Sequence, residues 1–540
     1  MICSSLEGWK KVYNASFQGL LNFFSPGFAR VRGKGIHSMH MTQCFFIRVL
    51  TCLILTILFV SIPKISFTED TATLDEVIDG FDDSLTLNIS KDINEEREGE
   101  DGIKDRIDDD ILEGFDDEAE DATELTSEEE SGPSLFSLDG YFKLGSSYNI
   151  AHDAPKQGET DWRGLSRLIG ETKLELKARF SSLLQARLSC KCFYDLAYLI
   201  RGRNEFTDEV LESYEKEFEP YDVYLLGTPL KSLDIKVGRQ IVVWGKSDNI
   251  RVTDVLNPLD LREPGITDIE NLRLPVTATR LDYYIKEWNI TGIAIHEIRF
   301  NKAPEYGNDF YPADALQSGE KKIKHVGKNT EYAVAVNGIF SKWDISFYLA
   351  NIYNDIPSME LVLPGPIPEY KMIHARLKMA GFAFNLAIGN WLVKTEAAYF
   401  NGLKFFNSTD KEYSRVDILG GVEYSGFIDT IVSLEAVNRR INEFDNIIKQ
   451  PPDNATENEF QWALRLTRKF LNETLNLTYL ALIYDLMGQG GALQRFSAEY
   501  DIMDALEISG GVVVYGSGNL VMFRDIGKND RLFIEIKYSF

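Results

Sequence analysis

Leu532-Phe533-Ile534-Glu535-Ile536-Lys537-Tyr538-Ser539-Phe540 sets the reading of the whole chain. Successive side chains of a strand point to opposite faces, so Leu532, Ile534, Ile536, Tyr538 and Phe540 share one face and Glu535, Lys537 and Ser539 the other. Two arrangements produce such alternation. A soluble edge strand turns its apolar row toward a core. The closing strand of a membrane-spanning barrel turns that row toward lipid and its polar row toward an aqueous lumen. The stretch finishes on the ring of Phe540 with no polar tail behind it, which favours the barrel.

Composition narrows the choice. The 540 residues include 24 Tyr, 33 Phe and 7 Trp, the supply of rings that two interfacial girdles require. Mean hydropathy is slightly negative, so a polytopic helical membrane protein does not fit. The one long apolar run, Val49 to Ile62 after Arg48, has the length of a secretory signal and is short for a spanning helix. A retained N-terminal anchor is the other reading. Residues 1–40 precede that run and are basic, so Met39 or Met41 is the expected start, with an upstream extension and signal over 1–68 (signal about 41–67). Five cysteines make no disulfide framework. Cys190 and Cys192, two apart on one strand face, sit near the upper limit of disulfide reach and read as small apolar wall residues.

Residues 69–130 hold 27 Asp/Glu against 4 Lys/Arg, nearly all of the chain's net charge of −26. So much charge with so little apolar surface cannot offset the entropy of ordering, so 69–134 is expected to be a disordered periplasmic segment. Within it Gly80-Phe81-Asp82-Asp83 recurs as Gly114-Phe115-Asp116-Asp117, which reads either as a solvated spacer or as a short docking motif for a periplasmic partner. Ca²⁺-loop ligand spacing is absent. The remainder is mildly acidic, which excludes nucleic acid as a partner and gives no sign of a strongly anion-attracting pore.

From 135 onward, alternating segments are separated by gaps that are in turn short and long. Ser181-Ser182, Pro229 to Ser232, Ser341-Lys342, Gly389-Asn390, Ser425-Gly426, Asn472-Glu473 and Ile502 to Asp504 are short. The stretches 149–169, 195–219, 245–277, 300–329, 354–371, 402–414, 439–459, 485–492 and 516–529 are long and polar. Short turns on one side and long loops on the other are the pattern of an outer-membrane barrel. Nine long loops predict an all-β, antiparallel up-and-down transmembrane β-barrel of about 18 strands over 135–540, with 16 also compatible. In such a barrel Tyr538 and Phe540 serve as the signal read by the barrel-assembly machinery. Outer-membrane lipids are then partners, and monomer and trimer both remain open.

One block is more than wall. Val237 to Trp244 reads as a strand end, followed by the longest loop, which carries Arg251, Asp254, Arg262, Glu263, Asp268, Glu270 and Arg273 and closes at Leu274-Pro275-Val276. Charges of both signs there fit an inward-folded constriction in which carboxylates face guanidinium groups across water, supported from below by Trp244 and by Arg239 paired to a lumenal carboxylate. A surface loop with internal ion pairs is the alternative.

The run Gly238-Arg239-Gln240-x-x-x-Trp244-Gly245-x-Ser247, with Asn257-Pro258-Leu259-Asp260 and Leu274-Pro275-Val276, resembles a family of Gram-negative outer-membrane barrels catalogued as domain-of-unknown-function 1302. Alginate-export and phosphate-selective porins are more distant likenesses. The resemblance covers roughly Leu138 to Phe540, its specific motif only Gly238 to Val276. The acidic prefix is similar to that of members from anaerobic and sulfate-reducing lineages. The resemblance implies a porin-like channel with poorly defined cargo, sometimes linked to lipid-like export, and no catalysis.

Enzymatic readings lack a motif. Gly245-Lys246-Ser247 ends like a phosphate loop, but its preceding glycine is misplaced. There is no Gly-x-Ser-x-Gly elbow, and the histidines are scattered, so no catalytic residue, metal or cofactor is expected. The expected function is passage or export of a small or amphipathic solute across the outer membrane. A barrel that scaffolds partners through its acidic segment is the alternative, with an outer-membrane hydrolase behind it.

Overall fold

The computed structural model describes residues 135–312, 319–320, 327–363 and 369–540. The leader with its signal, the acidic segment and both repeats, Gly80 to Asp83 and Gly114 to Asp117, lie outside the described residues.

Eighteen antiparallel strands form one sheet. In chain order they are Phe136–Asn149, Gly164–Ser181, Leu184–Asp195, Lys216–Leu230, Leu233–Gln240 and Val276–Ile285. Trp288–Ile295, Glu331–Phe340, Trp343–Tyr353, Arg376–Ile388, Trp391–Phe405 and Ser408–Phe427 follow. Thr430–Ile441, Asn458–Phe470, Leu475–Tyr484, Gly491–Met503, Leu506–Gly516 and Arg531–Ser539 complete the circuit. The last strand pairs with the first, from Tyr141 opposite Ser539 to Asn149 opposite Arg531, so the sheet closes and no edge is left. Phe540 finishes the seam. It exchanges two 2.9 Å backbone hydrogen bonds with Gly140 and stacks on Phe142 at 5.3 Å.

The alternation in the sequence becomes an inside and an outside. Leu532, Ile534, Ile536, Tyr538 and Phe540 are exposed on the outer face, as are Leu138, Leu144, Leu349 and Ile418, while Glu175, Glu396 and Arg495 point inward and are buried. A continuous apolar exterior of this extent would drive a water-soluble protein to associate; a bilayer satisfies it. Rings gather at the short-turn end: Trp288 on Phe340 at 5.8 Å, Phe340 on Trp343 at 4.1 Å, Trp391 on Tyr424 at 4.5 Å and Tyr424 on Phe427 at 4.9 Å. That belt is the girdle expected where a barrel leaves the hydrocarbon. No helix among the described residues is long and apolar enough to cross a membrane. Cys190 and Cys192 are free thiols, not a disulfide, and Cys192 is exposed.

Several boundaries differ from expectation. The expected turn at Ser425-Gly426 lies within Ser408–Phe427, whose turn falls at Ile428-Asp429, and the expected loop 354–371 holds a small hairpin, Ser358–Leu363 with Glu369–Ile373. An eighth short turn, Lys286-Glu287, divides Val276–Ile285 from Trp288–Ile295; Lys286 takes a left-handed φ of 54° although neither residue is turn material. The polar stretch 402–414 is not a loop. It pairs as the outer part of the hairpin Trp391–Phe405 and Ser408–Phe427, with register shifts that absorb Gly402. The fifth strand ends at Gln240, not Trp244, so Arg239 belongs to the wall and Trp244 to the loop beyond it.

Candidate functional site

The segment 241–275 does not lie on the surface. It turns into the barrel as a strap and divides the lumen. Asn257, fully buried, fastens the two legs: Val242 N donates to its Oδ1 at 2.8 Å, and its Nδ2 donates to Leu274 O at 2.7 Å. Gly245 has φ 106°, and a Cβ there would meet Thr253 Oγ1 at 3.0 Å, so the Trp-Gly pair marks the bend. The Trp244 indole donates to Thr253 O at 2.6 Å and stacks on Tyr348 at 4.9 Å.

One face of the strap is apolar. Val242, Trp244, Ile250, Val252 and Leu256 pack with the inward residues of the wall from Val276 round to Ala463, including Ala278, Ala333, Ala335, Ala350, Ala383 and Ala398. Small wall side chains let the strap approach closely and close that half of the lumen. The far leg reaches the opposite wall, where Ile266 joins Leu493, Val513 and Phe533, and the Tyr515 hydroxyl donates to Pro264 O at 2.5 Å.

The charged residues named from the sequence act as fasteners. Arg251 and Arg273 both close on Asp254, each through Nε at 3.0 Å. Arg262 takes Asp260 and, at 2.7 Å, Glu217 of the wall. Burial alone would raise the Asp260 carboxyl, but the guanidinium on it holds it below the usual carboxylate range. Glu263 lies between Arg167 at 3.6 Å and Arg531 at 3.7 Å, and Asp268 is held by Arg495. Arg239 pairs with Glu219 and, at 2.5 Å, with Glu297. Glu270 falls in the short turn Ile269–Leu272. The strap's arginines therefore do not confront its carboxylates across open water. Apart from Asp254, each acid with a placed side chain reaches a wall cation, Lys394 for Asp248 and an arginine for Glu263 and Asp268, or, for Asp260, the neighbouring Arg262. Beyond the strap, burial drives the Asp355 carboxyl up to about 7, against the downward pull of Arg251 and His374.

Sequence reasoning missed the wall side of these contacts. Glu396 and Glu435 each receive several strap N–H groups, Lys394 meets Asp248, and Asp309 from the loop after Ile295 binds buried Arg531. The available signal was parity: Lys394, Glu396 and Glu435 are charged residues at inward positions of otherwise apolar strands.

What remains open is a cavity of about 340 Å³ along the other half of the barrel. Its walls come from the first four strands, the last three that precede Phe540, and the strap's far leg. Nine cationic side chains and ten carboxylates line it, a near balance with no bulk preference for either sign. The signs are interleaved: Lys143 stands 3.7 Å from Glu535, and Lys537 3.2 Å from Glu507. Lys143 and Lys191 share Glu171 at 3.2 and 3.3 Å, with the Tyr141 hydroxyl on the same carboxylate and Lys173 close by, while Glu499, Glu507 and Glu535 come from the last strands. Among the described residues no group of His, Cys, Asp or Glu is arranged to hold a metal ion.

A closed 18-strand antiparallel barrel whose lumen is half filled by an inward strap defines a pore-forming architecture. The family described as "Protein of unknown function (DUF1302)" matches residues 165–540, and the chain belongs to that family. No curated protein matches it. Among solved structures it is similar to OccAB1 of Acinetobacter baumannii, at 11% identity over 75% of this chain and 96% of that one, with a TM-score of 0.45. A BenF-like porin from Pseudomonas fluorescens Pf-5 gives 11% identity, 75% and 98% coverage and a TM-score of 0.44. The outer membrane protein OpdK from Pseudomonas aeruginosa gives 9%, 75%, 98% and 0.42.

Proposed function

We propose that the barrel lies in the outer membrane of a Gram-negative cell and passes a small polar or amphipathic solute, with no catalytic step. The observation that carries this reading is the divided lumen inside an apolar exterior: one half is packed shut, and the other keeps a charged cavity of about 340 Å³. A structural barrel with no transport role has no need for such an opening, and a cavity lined by both signs in near balance selects by local charge and dipole rather than by bulk attraction. Ammonium and carboxylate groups paired along that cavity offer partners to solutes that carry a charge or a strong dipole. Purified protein in a planar bilayer should give stepwise ohmic conductance, and a panel of organic ions should compete with the current. A bilayer that stays silent with correctly folded barrel would end the channel reading.

A further inference from the structure

Two wall carboxylates have no role in the balance of the passage. Glu396 and Glu435 are fully buried on the packed half of the barrel, on strands separated by Ser408–Phe427. Each spends its oxygens on the tip of the strap. Glu396 Oε1 accepts from Lys246 N at 2.5 Å and Ser247 N at 2.7 Å, and its Oε2 accepts from Thr253 N at 3.0 Å and Thr253 Oγ1 at 2.8 Å. Glu435 Oε1 accepts from Asp248 N at 2.8 Å, and its Oε2 accepts from Asn249 N and Ile250 N at 3.0 Å each. Seven donors from one eight-residue turn thus converge on two carboxylates. Gly421 makes room, because a Cβ there would press on Glu435 Cγ at 3.2 Å.

Burying a carboxylate is costly unless charge-assisted hydrogen bonds replace its water, and an apolar residue would fill either position more cheaply. The converging N–H groups are the anion nest that supplies this compensation. We infer that Glu396 and Glu435 are a paired latch that positions the strap, and that the latch sets the width and steadiness of the passage. The second clause rests on the channel reading; the first does not. Without the latch the tip keeps its apolar contacts, which are not directional, and two single ion pairs, Asp248 to Lys394 and Lys246 to Asp344, so the strap can shift toward the open half.

The test uses the full chain carrying Glu396→Gln with Glu435→Gln. Each amide keeps the shape but turns an N–H₂ toward N–H donors. Two readouts are taken on barrel shown to be folded by heat-modifiable mobility. Hydrogen exchange over the peptide from Trp244 to Leu256 should accelerate by about tenfold or more, and single channels should lose their steady level and flicker among substates. Unchanged exchange overturns the latch. Faster exchange with wild-type current overturns its control of the passage. A silent wild type removes the channel reading, and exchange still judges the latch. Should the double variant fail to assemble, Thr253→Val decides, because it deletes only one hydroxyl donor from Glu396. Wild-type exchange in that variant would also overturn the inference.

Discussion

Replacing Arg262 by Gln removes one of the nine cationic side chains lining the passage and leaves the ten carboxylates in place. The guanidinium stands on the cavity wall between Asp260 and Glu217. A permeating ion passes it at about 7 Å, where a unit charge in water-like surroundings is worth roughly 0.6 kcal/mol. Screening over a Debye length of about 8 Å reduces this to roughly 0.25 kcal/mol. Losing the charge favours cations and disfavours anions by the same amount, so the permeability ratio should move toward cations by about two- to sevenfold. In a tenfold potassium chloride gradient that is a reversal-potential shift of about 15–35 mV. Arg251→Gln is the control, because Arg251 closes on Asp254 and Asn257 O and does not line the cavity. It removes the same charge and should shift the potential by less than about 5 mV. Equal shifts from both variants, or none from Arg262→Gln, would refute the placement of the passage.

Deleting Phe540 removes two backbone hydrogen bonds and a ring stack from the closing seam, so the yield of folded barrel in the outer membrane should fall several-fold by heat-modifiable mobility; normal yield would show the seam indifferent to it. Asp355 should keep its proton in the folded barrel up to about pH 7, whereas the unfolded chain releases it near pH 4. The folded state then binds more protons in that window and loses stability as pH rises through it. Asp355→Asn should flatten this dependence by about 1–2 kcal/mol, allowing for the partial exposure of the group, and an identical urea-midpoint profile for variant and wild type would count against it. A cysteine at Glu443, whose side chain is strongly exposed on a long loop, should react with an impermeant thiol reagent on intact cells, while one at Asn390 in a short turn should not; the opposite pattern would invert the topology.

The wall was legible because a two-residue period survives any tertiary context: the outward rows Leu532 to Phe540 and Leu174 to Phe180 could be written down directly. Turn chemistry revealed Gly389-Asn390 but not Lys286-Glu287, where the sheet imposes a left-handed residue on a sequence with no preference for it. The stretch 402–414 looked like a loop because it is polar, yet strands that rise beyond the apolar belt stay paired with polar side chains on both faces. At the site, the Gly238 to Val276 block could be singled out, and its charged residues named, from composition alone. Their partners could not, because Glu396, Glu435 and Arg495 lie some 140 to 230 residues further along the chain. Read without those partners, mixed charge suggests groups facing one another across water; with them, the groups are paired, while Arg262, Glu263, Asp268 and Arg273 still line the cavity.

The row of inward alanines on the packed half has a consequence for how such a pore changes over time. Barrel bore is ordinarily tied to strand number and shear, so resizing it means re-registering the entire sheet. Here the aperture is whatever the strap leaves uncovered. Enlarging one wall alanine would push the strap outward and narrow the opening, and shortening one strap side chain would widen it, with every interstrand hydrogen bond intact. Selectivity is thereby placed under single-residue control, while the hoop that must satisfy the bilayer and the assembly pathway stays constant.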